Sequence, residues 1–351
     1  MTYIRKPRVR HPSLEANELG LTRRDYEGSM STLCAGCGHD SVTAAVIEAF
    51  WKLSVPPHRV AKLSGIGCSA KTPTYFISQA HGFNAVHGRM PSIATGANAA
   101  NRDLVYIGIS GDGDSLSIGL GQLGHVIRRN VNMLYVLENN GVYGLTKGQF
   151  SASADEGAVA KSGEVNHERA IDPVLLALSL GATFVARGFS GDKAQLVPIL
   201  EAGIRHRGLA LVDVISPCVT FNDHEGSTKS YAYTREHEVE EVAVDFVPRR
   251  REITADYEAG TVRDVPMHDG SVVRFRKVPE DYDPTDRDAA YAYVRARQDA
   301  GEVATGLLHI DPGSRDLHEV MDTASTPLAG LPFEDLCPGS DALDEILADY
   351  R

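Results

Sequence analysis

The stretch LVYIGISGDGDSLSIGLGQLGHVIRRNVNMLYVLENNGVY (residues 104–143) decides the fold. Its opening run, 104–110, is continuously apolar, the pattern of a strand buried on both faces of a parallel sheet. A GDGD turn follows, then a helical stretch from about Ile118 to Arg129, then a second buried strand over 132–138. The same alternation extends in both directions. Upstream, VTAAVIEAFWKL predicts a helix over 41–53, RVAKLSGIG (59–67) a short strand running into a glycine turn, and IATGANAAN (93–101) a closely packing small-residue helix. Downstream come a helix over 172–181 stopped by Gly181, a strand over 183–189, a helix through 195–206 and a strand over 209–216. The expected class is therefore α/β, a parallel sheet flanked by helices. Ligands of such sheets bind at the carboxyl ends of the strands. The GDGD turn, the Asn139-Asn140 turn and Cys218 all follow strand ends.

Around this sheet the chain divides into three parts. Residues 1–30, rich in Pro, Arg and Glu, read as an N-terminal arm, 31–235 as the sheet domain, and 236–351 as a C-terminal extension that covers the core or contacts a partner. Within the extension, VPMHDGSVVRFRKV (265–278) predicts a hairpin turning at Asp269-Gly270, residues 283–298 a charged helix, and the acidic tail a short final helix. The chain has 351 residues, 42% hydrophobic and 23% charged, as expected of a soluble globular protein. A net charge of −12 gives nucleic-acid binding no electrostatic support. No run approaches the ~20 apolar residues that span a bilayer, and the first twenty residues lack the apolar core of a secretory signal. The expected compartment is the cytoplasm.

Asp112 lies between Gly111 and Gly113, after a strand and before a helix. Glycines there let backbone N–H groups approach a diphosphate, and the helix N-terminus favours its charge. Asp112 then supplies a hard oxygen for Mg²⁺, Asn140 a neutral one from the next turn, and the Val142 carbonyl a third, with phosphate oxygens completing the shell. Gly119, Gly121 and Gly124 match a dinucleotide-binding pattern, with Glu138 near the distance of a ribose-binding acid. They fall inside the helix and not at the strand–helix turn, so close helix packing explains them better than NAD.

The cysteines form the second constellation. Cys34 and Cys37 pair in LCAGCGHD, Cys68 stands in GIGCSAKTP and Cys218 in ISPCVTFND, each beside Gly, Pro or small residues that let backbone wrap a bound group. Reduced thiols are the rule in the cytoplasm, so disulfides are not expected. The choice lies between a metal centre and ordinary buried thiols. Cys337, in EDLCPGSD, reads as incidental, and His39, beside Cys37, as structural.

Taken together, LCAGCGH, GIGCSA, HGR, the run from GDGD to NN and SPCVTFN make the chain resemble, from about Leu33 to Asn222, the β subunits of the 2-oxoacid:ferredoxin oxidoreductases, the 2-oxoglutarate members most of all. The resemblance implies a thiamine diphosphate-binding PP-type fold and a [4Fe–4S] cluster held by Cys34, Cys37, Cys68 and Cys218. It implies Mg²⁺ on Asp112, Asn140 and Val142, in a thiamine diphosphate pocket drawing on Gly67, Ser69, His87, Gly111, Gly113, Asp114, Gly144 and Leu145. It also implies an α (or fused γα) subunit and a ferredoxin as partners. The expected reaction is oxidative decarboxylation of 2-oxoglutarate with CoA to succinyl-CoA and CO2. His87 and Arg89 are candidates for a phosphate or substrate carboxylate. Lys71 is the candidate for the distal carboxylate of 2-oxoglutarate, Leu145 for contact with the thiazolium ring, and Lys147 for a CoA phosphate. Pyruvate or branched-chain 2-oxoacids remain alternative substrates. A thiamine-free iron–sulfur or zinc subunit is a further alternative, zinc being the weaker metal because the cysteines do not form two paired knuckles.

Overall fold

The computed structural model describes residues 11–221, 257–258, 260–266, 272–278, 282–337 and 339–350. Among the described residues, nine strands form one sheet and two more a small hairpin. In chain order they are β1 (Val60–Ser64), β2 (His81–Asn84), β3 (Val105–Gly111), β4 (Met133–Asn139), β5 (Val142–Tyr143), β6 (Gln149–Phe150), β7 (Phe184–Phe189), β8 (Leu209–Ile215), β9 (Val262–Pro266), β10 (Val272–Lys277) and β11 (Glu302–Ile310). The sheet order is β2-β1-β3-β4-β8-β7-β11-β10-β9, with β5 paired to β6 apart from it. From β2 to β7 every neighbour is parallel. β11 joins β7 antiparallel, with a register shift between Leu307 and His309.

Both faces of this sheet are covered, as continuous apolar strands require. Against one face lie α1 (Gly38–Lys52) and α5 (Lys193–Arg205), packed on Ile107, Ile109, Val136 and Val212. Against the other lie α2 (Met90–Ala100), α3 (Leu120–Arg128), α4 (Pro173–Ser179) and α6 (Arg287–Asp299), packed on Leu63, Tyr135, Leu211 and Leu308. Gly108 in β3 leaves the room that Met90 and Met133 fill: a Cβ there would stand 2.6 Å from Met90 Sδ. Asp172 caps α4 through the N–H groups of Val174 and Leu175.

The structure departs from the sequence reading in four places. The helix after β3 starts at the GDGD turn itself and not near Ile118: Gly113–Ile118 winds with wide π geometry before α3. Gly119 N–H closes it on the Asp114 carbonyl at 2.8 Å. Of the three glycines expected inside the helix, Gly119 instead stands at the junction between the π turn and α3, where it packs against Gly88, and a Cβ on Gly121 would meet nothing. The segment after 235, expected as an appendage, contributes over 262–310 three strands to the main sheet, with Ala304 and Leu308 in its core. The arm packs too: Tyr26 is fully buried and donates its hydroxyl to the Val55 carbonyl at 2.8 Å. The expected boundary at 235, the turn at Asp269-Gly270 and residues 1–10 fall outside the described residues. Strands β9 and β10 do pair antiparallel, and a final helix spans Ser340–Ala348. No helix among the described residues is long and apolar enough to cross a membrane.

One buried ion cluster ties the sheet to α4. Arg187, in β7, donates Nε to Asp213 of β8 at 2.7 Å and Nη2 to both oxygens of Asp172 at 2.8 Å. Burial works against the charge on Asp172, but Arg187 and the two cap N–H groups outweigh it and hold the carboxyl below its usual range. Removing one partner strands the others, so Arg187→Ala should cost about 3–5 kcal/mol, read as a lower urea midpoint at unchanged slope. The stability that Asp172 contributes is full above the ordinary carboxyl pKa of about 3.9 and is lost as pH falls through its lowered value. The gap between wild type and variant should therefore narrow in acid; a gap independent of pH would refute this account of the cluster.

Candidate functional site

At the carboxyl end of β3, Asp112 is almost fully buried. Its Oδ2 accepts the Gly141 N–H at 2.9 Å, the Ser153 hydroxyl at 2.6 Å and the Ser151 hydroxyl. Burial pushes its carboxyl up, and these donors pull it back toward the ionised form. Asp114 faces the other way: Oδ1 accepts the Gly88 N–H at 2.6 Å and Oδ2 the Ser110 hydroxyl at 2.8 Å. Asn140 Oδ1 accepts the Val142 N–H at 3.0 Å. Gly141, at φ +74°, makes the turn that returns the chain over Asp112. Gly113 is pressed by Tyr143: a Cβ would clash with the ring, whose hydroxyl donates to the Gly113 carbonyl at 2.9 Å.

The cysteines surround the same end of the sheet. Cys37 precedes α1, Cys68 precedes a short 3-10 turn over Ser69–Thr74, and Cys218 follows β8. The Cys34 sulfur accepts the Thr220 hydroxyl at 2.9 Å. Burial pushes the thiols of Cys37, Cys68 and Cys218 up. The thiols also feel one another: Cys218 acts on Cys37 and Cys68, and Cys34 on Cys68 and Cys218. Lys71 pulls Cys68 the opposite way, and Asp112 acts on Cys218. Gly144 lies between two of the sulfurs, where a Cβ would stand 3.4 Å from Cys68 Sγ and 3.6 Å from Cys218 Sγ. Among the described residues, no three His, Cys, Asp or Glu side chains converge closely enough to hold a single metal ion. Four thiolates could together hold an iron–sulfur cluster. Hard oxygens from Asp112 and Asn140 likewise suit Mg²⁺ completed by phosphate.

Beside these groups a cavity of about 770 Å³ opens, lined among others by Gly67, Lys71, His87, Tyr143 and Leu145. It brings four sequence-predicted residues together. Arg89 and Lys147 are exposed and do not line it, and Asp112, Asn140 and Val142 do not line it either. Ser69 is buried below, its oxygen 3.0 Å from where a Gly111 Cβ would stand. Cys337 is exposed in the C-terminal segment.

Sequence reasoning missed Ser151 and Ser153, and it weighed Glu138 only as a ribose ligand. Glu138 is instead buried against Thr72 Oγ1 at 3.1 Å and His39 Nδ1 at 3.6 Å, and burial drives its carboxyl well above the usual range. His39 bonds Ser216 Oγ at 2.6 Å, and burial lowers its pKa to about 4.

The model of the thiamine pyrophosphate enzyme C-terminal TPP binding domain matches residues 65–214. A 2-oxoacid:ferredoxin oxidoreductase subunit beta of Saccharolobus solfataricus is 42% identical over 209 residues, 59% of this chain and 68% of that protein. The corresponding Sulfolobus subunit is 45% identical over 191 residues, 54% of this chain and 63% of its own length. A Mycobacterium tuberculosis 2-oxoglutarate oxidoreductase subunit KorB is 42% identical over 193 residues, 54% of this chain. The match spans only about half, 51%, of that mycobacterial subunit. A solved 2-oxoglutarate:ferredoxin oxidoreductase from Magnetococcus marinus, with 2-oxoglutarate, coenzyme A and succinyl-CoA bound, superposes with a TM-score of 0.71 at 29% identity, covering 97% of this chain and 100% of that one.

The close approach of the two cysteine-bearing loops is testable without any ligand. Gly38 N–H donates to the Pro217 carbonyl at 3.2 Å, and a Cβ on Gly38 would lie 2.6 Å from Ser216 Oγ and 2.9 Å from Pro217 N. Gly38→Ala should destabilise the fold by about 1–3 kcal/mol through overpacking. An unchanged denaturation midpoint would mean that the loops are not held this closely.

Proposed function

The chain belongs to the β subunits of the 2-oxoacid:ferredoxin oxidoreductases, and from that membership we propose that it is the cofactor-bearing subunit of a 2-oxoglutarate:ferredoxin oxidoreductase. The assembled enzyme converts 2-oxoglutarate and CoA to succinyl-CoA and CO2 and passes two electrons to ferredoxin. A partner α subunit, separate or fused, completes the site. The observation that carries this reading is one loop that touches both constellations: it leaves Asp112 at the Gly141 N–H and reaches Cys68 and Cys218 at Gly144. A cofactor anchored at the first lies beside a cluster held at the second.

When bound, thiamine diphosphate supplies the electron sink for decarboxylation and a [4Fe–4S] cluster supplies one-electron steps. This chain's part is to hold and orient. Asp112, Asn140 and the Val142 carbonyl are the proposed Mg²⁺ ligands, with Gly111, Gly113 and Asp114 shaping the diphosphate turn. Cys34, Cys37, Cys68 and Cys218 are the proposed cluster ligands. Lys71 stands in the cavity wall on the turn that follows Cys68, a position suited to the distal carboxylate of 2-oxoglutarate. His87 and Leu145 line the same cavity and are proposed to face the cofactor. Two apolar lining residues, Met30 at 48% exposure and Leu145 at 54%, are the surface a partner subunit would cover. Lys147 and Arg89, exposed outside the cavity, are left for CoA or for phosphate reached from the solvent side. Zinc in place of a cluster is the weaker reading, because the four cysteines do not form two paired knuckles.

Two measurements test the proposal. The complex purified without oxygen should show broad visible absorption that bleaches on reduction. Serine at position 34, 37, 68 or 218 should abolish that absorption, and Cys337→Ser should leave it intact; a colourless wild-type protein sinks the cluster. Lys71→Met should raise the KM for 2-oxoglutarate about 10- to 100-fold, the cost of one charge-assisted bond, with little effect on any pyruvate turnover. An unchanged KM would remove Lys71 from substrate recognition.

A further inference from the structure

The carboxylate at the centre of the diphosphate turn is held from behind by side chains to which the proposed reaction gives no role. Ser153 Oγ, 2.6 Å from Asp112 Oδ2, is also 2.9 Å from Asn139 Oδ1. Asn139 Nδ2 donates to Asp213 Oδ1 at 3.1 Å, and Asp213 takes the Arg187 guanidinium on its other oxygen. An unbroken string of side chains thus runs from the cap of α4, across β7 and β8 and the tip of β4, to the GDGD turn. Ser151 adds a second hydroxyl, 3.1 Å from Ser153 Oγ and bonded to the same Asp112 oxygen.

We propose that Ser153 and Asn139 are positioning residues for the divalent cation, locking Asp112 Oδ2 inward so that Oδ1 is presented to the metal. The inference rests on Asp112 being the cation's carboxylate. A carboxylate turns easily about its last torsion, because that torsion has broad, roughly two-fold wells. Three donors on one oxygen remove that freedom and leave the other oxygen's lone pairs for a ligand. Ser153 shares its single hydroxyl hydrogen between Asp112 Oδ2 and Asn139 Oδ1 in a three-centre contact, with the ionised carboxylate the stronger acceptor. Asn139, itself pinned by Asp213, sets where the serine oxygen sits. Partners that orient a metal ligand in this way are commonly worth 10- to 100-fold in metal affinity.

The test uses the co-expressed complex, thiamine diphosphate in excess and Mn²⁺ as a spectroscopic probe of the Mg²⁺ position. Ser153→Ala and Asn139→Ala should each weaken Mn²⁺ binding about 10- to 100-fold. They should raise the Mg²⁺ concentration for half-maximal activity by a similar factor and leave the rate at saturating Mg²⁺ near wild type. Ser153→Thr, which keeps the hydroxyl, should recover the affinity, and it remains informative if the alanine variant folds poorly. Asp112→Ala should abolish cation binding. If it does, while Ser153→Ala and Asn139→Ala bind Mn²⁺ normally or lose rate that excess Mg²⁺ does not restore, the positioning role is overturned. If Asp112→Ala itself binds the cation normally, the Asp112 reading fails, and this inference with it.

Discussion

A carboxylate buried at the end of a parallel strand must be given donors or lose its charge. That demand on Asp112 organises the end of the sheet where the candidate site lies. Its donors come from a loop that begins after β4 and ends at Ser153, so the loop is fastened at both ends to one oxygen. Fastening it brings Tyr143 onto Gly113 and Gly144 between two cysteine sulfurs. The parallel sheet brings β3, β4 and β8 to a common edge, where the turn after β8 lies beside the turn after β4, roughly 75 residues earlier in sequence.

Much of this was legible in the chain because it is written in uncommon residues. Glycines around Asp112, paired asparagines and cysteines beside Gly or Pro are rare combinations, and the apolar runs of β3, β4 and β8 leave little choice of element. What stayed hidden is written in common residues or in tertiary contacts. Ser151 and Ser153 sit in an unremarkable SASAD stretch, and nothing local marks them as donors to a residue some forty positions earlier. β2, with the sequence HGFN, is exposed at every position and carries no strand pattern. The π turn exists because Gly119 packs on Gly88 and closes on Asp114, a contact that no helical periodicity encodes. Arg187 was legible as a strand residue, but its two carboxylate partners come from other elements.

The two faces of the sheet divide the work. The face carrying α1 and α5 delivers Cys37 at the start of α1, hydrogen-bonded through Gly38 to the turn after β8. The face carrying α2, α3 and α4 delivers the Gly88 contact that receives Asp114 and, through Asp172 and Arg187, the buried charge that reaches Asn139. The carboxyl edge of the sheet is the place where both sets of contacts arrive.

The bond from Gly38 to Pro217 has a temporal consequence. Cys34 and Cys37 leave the ribosome about 180 residues before Cys218, and at ~5–20 residues per second that interval is roughly 10–40 s. For that time the early thiols are exposed on a nascent chain, with half of their enclosure not yet synthesised. Any inorganic group held by all four thiols can be completed only after Cys218 has emerged, so its closure follows the synthesis of β8.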